Sequence, residues 1–160
     1  MESPRLIFWS ENERALLAEY IQFQLDRLGP QERFMVSVVP EMVFARDSSL
    51  RPFLGAHKVL FTGEWSIWLR EALEGVPLDY NLLMEAGIRE LSHTIAAHAE
   101  LEGETRASRF ASVHERLRDQ ATKAGIWPVS APPDEFRHLF APGRVGTSVG
   151  LHIESGEVRG

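Results

Sequence analysis

The stretch Lys58-Val59-Leu60-Phe61-Thr62-Gly63-Glu64-Trp65-Ser66-Ile67-Trp68-Leu69-Arg70-Glu71-Ala72-Leu73 lies near the middle of a 160-residue chain. It reads as a strand over Lys58 to Phe61, a Thr62-Gly63-Glu64 turn, and a helix over about Glu64 to Leu73. Trp65, Trp68, Leu69, Ala72 and Leu73 then share one side of that helix. The residues before it repeat the same order. Arg5 to Trp9 is a short apolar run suited to a buried strand. Ser10 and Glu13 form a Ser-x-x-Glu capping pattern, Leu17, Ile21, Leu25 and Leu28 recur at helical spacing, and Gly29-Pro30 supplies a stop. Phe34 to Val39 is apolar almost throughout, as expected for a strand covered on both faces, and Pro40 ends it. After Met42 to Ala45 and a polar turn, Leu50 to Leu54 reads as one short helix.

Downstream the helical period dominates. Pro77 suits a first helical turn, and Met84, Ile88, Leu91 and Ile95 make an apolar stripe on a helix reaching about Leu101, before Gly103. A further helix over about Glu104 to Ala124 presents Phe110, Val113, Leu117 and Ala121, with Gly125 as its C′ residue. Ile126 to Val129 reads as a fourth short strand, and Ser148 to Ile153 as a brief strand in a Pro- and Gly-rich end. The expected fold class is α/β, a small parallel sheet flanked by helices with an additional helical hairpin. One domain over 1–160 is expected, divided into an α/β unit (5–75), the hairpin (76–125) and the tail (126–160).

Composition narrows the function classes. The absence of Cys excludes disulfides, thiolate metal sites and a Cys nucleophile. A 44% hydrophobic and 25% charged chain without a long apolar run or a leader pattern is expected to be cytoplasmic, with no membrane partner. Its net charge of −6, with no basic segment, argues against nucleic acid as a partner. Phosphate-loop, dinucleotide-fingerprint and nucleophile-elbow motifs are absent.

In a parallel α/β sheet ligands bind beyond the carboxyl ends of the strands, which directs attention to Ser10, Glu41 and Thr62-Gly63-Glu64. Asp79 and Glu85, six residues apart at the start of a helix, form a carboxylate pair that can converge on one pocket. Such a pair can split acid and nucleophile roles, as cleavage of a glycosidic bond requires. Gly87, where Ala would favour the helix, suggests close backbone approach. Trp65 offers a flat wall for a base. Glu90-x-x-His93 and Glu135-x-x-His138 have the spacing of carboxylate-bridged metal sites, with Glu100, Glu104 and Glu115 available as further ligands, but the second motif follows Pro132-Pro133 with no long helix around it, so no metal is expected. The Arg residues at 106, 109, 116 and 118 interleave with acids and read as a solvated face, or as a contact for an acidic or identical partner.

Residues 5–90 resemble the nucleoside 2-deoxyribosyltransferase and TIR-like group of small flavodoxin-like domains. The resemblance rests on Asp79, Glu85 and Gly87 at the spacing Asp-x-Gly-Thr-x-x-Glu-x-Gly, with Asn81 and Leu82 where Gly and Thr are usual. Asn81, Glu85 and Gly87 also fit the Asn-x-x-x-Glu-Leu-Gly pattern, and Ser66-Ile67-Trp68-Leu69-Arg70-Glu71 is similar to a TIR catalytic segment with its Glu one residue early. The resemblance implies a nucleoside or nucleotide ligand, with Glu85 as nucleophile and Asp79 helping to bind the nucleoside, or Glu71 as the functional carboxylate. It adds Asn81 to Ser10 of the strand rim and Trp65 of the aromatic wall as the residues expected around the substrate, and no cofactor is expected. The competing expectation is a non-catalytic module that binds a partner or itself through the helical hairpin.

Overall fold

The computed structural model describes residues 9–30, 32–73, 76–97, 105–140 and 155–157. The chain is α/β, with elements in the order α1 (Glu11–Asp26), β1 (Phe34–Val39), α2 (Glu41–Ala45), β2 (Gly55–Val59), β3 (Trp65–Arg70), β4 (Ala72–Leu73), β5 (Val76–Pro77), α3 (Tyr80–Ala96), α4 (Arg106–Lys123), a 3-10 helix (Asp134–Leu139) and β6 (Ser155–Glu157). The capping box expected at Ser10 is present, with Ser10 Oγ accepting from Glu13 N at 3.1 Å and Ser10 N donating to Glu13 Oε1 at 2.8 Å. The backbone bond from Ser10 holds the Glu13 carboxyl below its usual range.

The segment Trp65 to Arg70 is a strand, not a helix, and this corrects the sheet. β3 pairs parallel with β1 from Phe34↔Trp65 to Val39↔Arg70, and antiparallel with β2 from Gly55↔Leu69 to Val59↔Trp65. The order β1-β3-β2-β6 is therefore mixed, where a parallel sheet was expected. Apolar residues at 65, 67, 68 and 69 satisfy both periods, and pairing on two sides selects the strand. Trp65, Ile67 and Leu69 face one way and are buried, while Ser66 and Trp68 face the other. The two tryptophans thus lie on opposite faces. Leu60 to Glu64 is a hairpin loop rather than a helix start, closed by Leu60 N→Glu64 O at 2.7 Å and Gly63 N→Leu60 O at 2.9 Å, with Gly63 at φ 91°.

Other expectations shift for local reasons. The strand expected at Lys58–Phe61 lies three residues earlier, because the hairpin claims Leu60 and Phe61. Leu50 to Leu54 forms successive turns bonded back to Asp47 and Leu50, and the short helix sits at α2 instead. Pro77 belongs to the β4–β5 ribbon, so α3 begins at Tyr80. Ile126 to Val129 makes bends, including a cis Trp127–Pro128 bond, and is no strand. β1 is not covered on both faces, since Met35 is 63% exposed. Strand residues expected at 5–8 and 148–153, and the helix extension past 97, lie outside the described residues; Trp9 itself is a bend whose indole donates to Leu139 O at 3.1 Å.

α1 and α3 cover one face of the sheet, and α4 packs on α3 as a further layer. The apolar stripe expected on α3 is fully buried, but so is nearly the whole helix. Fifteen of its 17 residues are buried, Glu85 and Glu90 among them. A core cluster from Trp9 to Phe140 includes both helices of the expected hairpin, so α3 is part of the core rather than an addition to it. Gly87 permits this crossing, because a Cβ there would meet Leu25 Cδ1 at 3.3 Å and Leu69 Cδ1 at 3.7 Å. A smaller cluster of Phe44, Leu50 and Ala56 covers the opposite sheet face. Among the described residues no helix is long and apolar enough to cross a membrane.

Candidate functional site

The structure gives the expected site residues separate roles. Ser10 caps α1. Asp79 is the N-cap residue of α3, buried, without a side-chain cap bond. Asn81 spends its amide on the segment after α4, with Nδ2 donating to Val129 O and Oδ1 accepting from Val129 N, both at 3.0 Å. Its carbonyl also accepts from Trp127 Nε1 at 3.0 Å, which fixes that indole beside α3. Trp65 lies against His57, ring centroids 5.9 Å apart, and lines a 720 Å³ cavity with Ile95, Arg109 and Arg116. Ile95 is 16 residues from Asp79, about 24 Å along the helix axis, so Trp65 and Asp79 occupy opposite ends. Six residues separate Asp79 from Glu85, about 9 Å along the axis and about 120° around it, which directs the two carboxylates to different faces.

Glu85 points toward α4. It is 5% exposed, its Oε1 is 4.0 Å from Arg118 Nη2, and its Oε2 is buried without a hydrogen-bond partner. Arg89 follows one turn later, so both project from the same side of α3. Phe110, His114 and Arg118 repeat that four-residue spacing on α4. Arg118 lies over the Trp127 ring and Arg89 over the Phe110 ring, each 5.0 Å from the centroid. Arg89 Nε, His114 Nε2 and Arg118 Nε are also buried and without partners. Burial, then the charges of Arg89 and Arg118, push the His114 imidazole down to about 4, so it is neutral at pH 7.

His114 and Arg118 line a 410 Å³ cavity with Phe110, Thr122 and Trp127, and Arg89 adjoins it through the Phe110 ring. Arg118 connects Glu85 to it, being both a lining residue and the partner of that carboxylate. Native proteins pair nearly all buried polar atoms, so the orphans of His114 and Arg118 on this wall, with those of Arg89 and Glu85 beside it, favour a water or ligand there. The larger cavity at Trp65 holds none of these orphans. Two guanidinium groups backed by aromatic rings suit an anion, while a carboxylate oxygen suits a hydroxyl or amine.

Two further polar clusters escaped the sequence reading. His57 Nδ1 meets Glu90 Oε1 at 2.8 Å inside the core, and His57 stacks on His93, His93 on Phe110, and Phe110 on His114, with interplanar angles of 16°, 17° and 12°. Glu90 thus turns toward β2, and the described residues contain no group of three His, Asp or Glu placed to hold a metal. Glu71 is fully buried and receives Arg14 at 3.5 Å and Glu41 N at 3.1 Å, while Arg70 reaches Glu41 Oε1 at 3.3 Å and Phe53 O at 3.1 Å. These bonds tie β3 to α1, α2 and the loop before β2, which is a holding role for Glu71. The helical face made by Glu85 and Arg89 was visible as a four-residue spacing, but its meeting with Arg118 depends on how α3 crosses α4.

No protein-family model matches the chain, and no curated protein or solved structure matches it significantly.

Proposed function

We propose that the chain binds a nucleoside or nucleotide in the α3–α4 cleft. The observation that carries this reading is the pair of unpartnered buried polar atoms of His114 and Arg118 on the wall of one cavity, with those of Arg89, against Phe110, and Glu85, against Arg118, adjoining it. In it, Arg89 and Arg118 meet phosphate oxygens, Phe110 and Trp127 wall the apolar part, and Glu85 Oε2 accepts from a ribose hydroxyl. A volume of 410 Å³ lies within the usual range for small-molecule sites. A cytoplasmic setting belongs to the same proposal.

The catalytic form of the proposal uses Glu85 as nucleophile. Its carboxylate oxygen would bond to C1′ as the C1′–N bond breaks, the base leaving with its electron pair and taking a proton, before water or a second acceptor releases the sugar. The free Oε2 favours this form, but Asp79 is not its helper in this geometry. Partner binding through the helical pair has less support, because α3 is buried and α4 exposes Ala107, Ser108, Ala111, Ser112, Glu115 and Gln120. Calorimetric titration of the protein with AMP and NAD tests binding, and chromatography of released base tests cleavage. Saturable binding weakened at least about tenfold by Arg118→Ala supports the site. Base release by wild type but not by Glu85→Gln supports the catalytic form, whereas no binding of either compound sinks the proposal.

A further inference from the structure

β1 is an edge strand among the described residues. Its register with β3 directs the backbone groups of Met35, Ser37 and Val39 to β3, as Trp65 N→Arg33 O and Glu71 N→Val39 O at either end confirm. Those of Phe34, Val36 and Val38 face outward. Gln22 meets two of them like a neighbouring strand, its Nε2 donating to Phe34 O at 3.1 Å and its Oε1 accepting from Val36 N at 2.7 Å. Val36 C=O and both backbone groups of Val38 lie beyond this pairing.

Natural edge strands are usually blunted by charge, Pro or a bulge. The strand Phe-Met-Val-Ser-Val-Val has no charge, no Pro and an unbroken register. Between this edge and α1 runs a 640 Å³ groove lined by Glu11, Ala15, Ala18, Glu19, Val36 and Val38. Glu11, Ala15 and Glu19 are spaced by four along α1 and all are exposed. The third charge of the groove, Arg14, is committed to Glu71 Oε1 and Trp9 O. The rim is therefore acid, small residue, acid over about 12 Å of helix. Four residues of an extended strand cover about 13 Å, and alternate residues face the same way.

We infer that this groove takes an extended peptide of the pattern cation-x-apolar-x-cation, added as a strand to the Val36–Val38 edge. Its backbone pairs with Val36 C=O and with both backbone groups of Val38, its apolar side chain seats on Ala15 and Ala18, and its two cations meet Glu11 and Glu19. This surface is separate from the α3–α4 cleft, so either proposal can fail alone.

The test is a titration of the ¹⁵N-labelled full chain with the capped peptide Lys-Thr-Val-Thr-Lys, read at the Val36 and Val38 amides. Saturable shifts at both amides are expected. Affinity should fall at least about tenfold when the central peptide amide is N-methylated, in the groove-filling variant Ala15→Trp, and in the double variant Glu11→Lys/Glu19→Lys. Ala15, Glu11 and Glu19 are exposed, and an unchanged amide spectrum elsewhere verifies the fold of each variant. Equal binding of Glu-Thr-Val-Thr-Glu, equal binding by Ala15→Trp, or no shift at Val36 and Val38 overturns the inference. Self-association of the wild type abolished by Ala15→Trp would assign the groove to a second copy, and Val38 exchange protection lost on deleting residues 1–8 would assign it to the chain's own start; either result overturns it.

Discussion

Replacing Glu85 by Met should stabilise the protein while weakening its hold on a ribose. Glu85 is 5% exposed, with one oxygen 4.0 Å from a guanidinium nitrogen and the other without a partner. A buried polar group left unsatisfied costs about 1–3 kcal/mol. Met has a similar length, adds no polar atom and adapts to irregular space. The substitution removes the carboxylate from Arg118, but that side chain is 43% exposed and water can replace the partner. Loss of an exposed pair costs about 0–1 kcal/mol. The balance is a gain of about 1–2 kcal/mol, and each kcal/mol raises Tm by about 2–4 °C in a chain of this size. Urea unfolding should show a higher midpoint at unchanged slope. A loss of more than about 1 kcal/mol would show that the carboxylate holds the helices together, and the binding-site argument would then lose its basis.

Gly55→Ala should destabilise by about 1–3 kcal/mol in the same urea assay, because overpacking cannot be relieved there. Its Cβ would lie 3.0 Å from Glu90 Cγ, and Glu90 is fully buried and bonded to His57. Ile67→Ala should cost about 2–5 kcal/mol, since Ile67 is fully buried on a central strand, and a cost below about 1 kcal/mol would contradict the strand placement. His114 takes up a proton near 6.5 when unfolded but only near about 4 when folded, so the unfolded state binds more protons between those values. Stability should therefore be whole above pH 6.5 and fall as pH drops toward 4. His114→Phe should flatten that slope relative to wild type, and an imidazole that titrates at its ordinary pH by NMR would refute the burial argument.

The legible parts of the fold were those set by local chemistry. Ser10 and Glu13 mark the start of α1, Pro40 the end of β1 and Gly125, at φ 72°, the end of α4. The apolar residues of Trp65 to Arg70 fit both periods, and only the pairing of β3 with two neighbours resolves them. That single exchange turned a parallel sheet into a mixed one. For the site, Glu85 could be singled out in sequence, but its company could not. Asn81, which resembled a ligand contact, fastens Val129, and Arg118, which looked like part of a solvated face, covers Trp127. Both facts follow from long-range contacts that no spacing rule encodes.

Whether the α3–α4 cleft receives an anion decides the proposed function. ¹H–¹⁵N spectra that resolve the arginine Nε–H groups and the Trp127 indole N–H, recorded during titration with AMP, test this most directly. The expected result is saturable movement of the Arg89 and Arg118 Nε–H signals and of the Trp127 indole. Signals that stay fixed while AMP reaches millimolar concentration, or shifts that cluster at Trp65 instead, would contradict it.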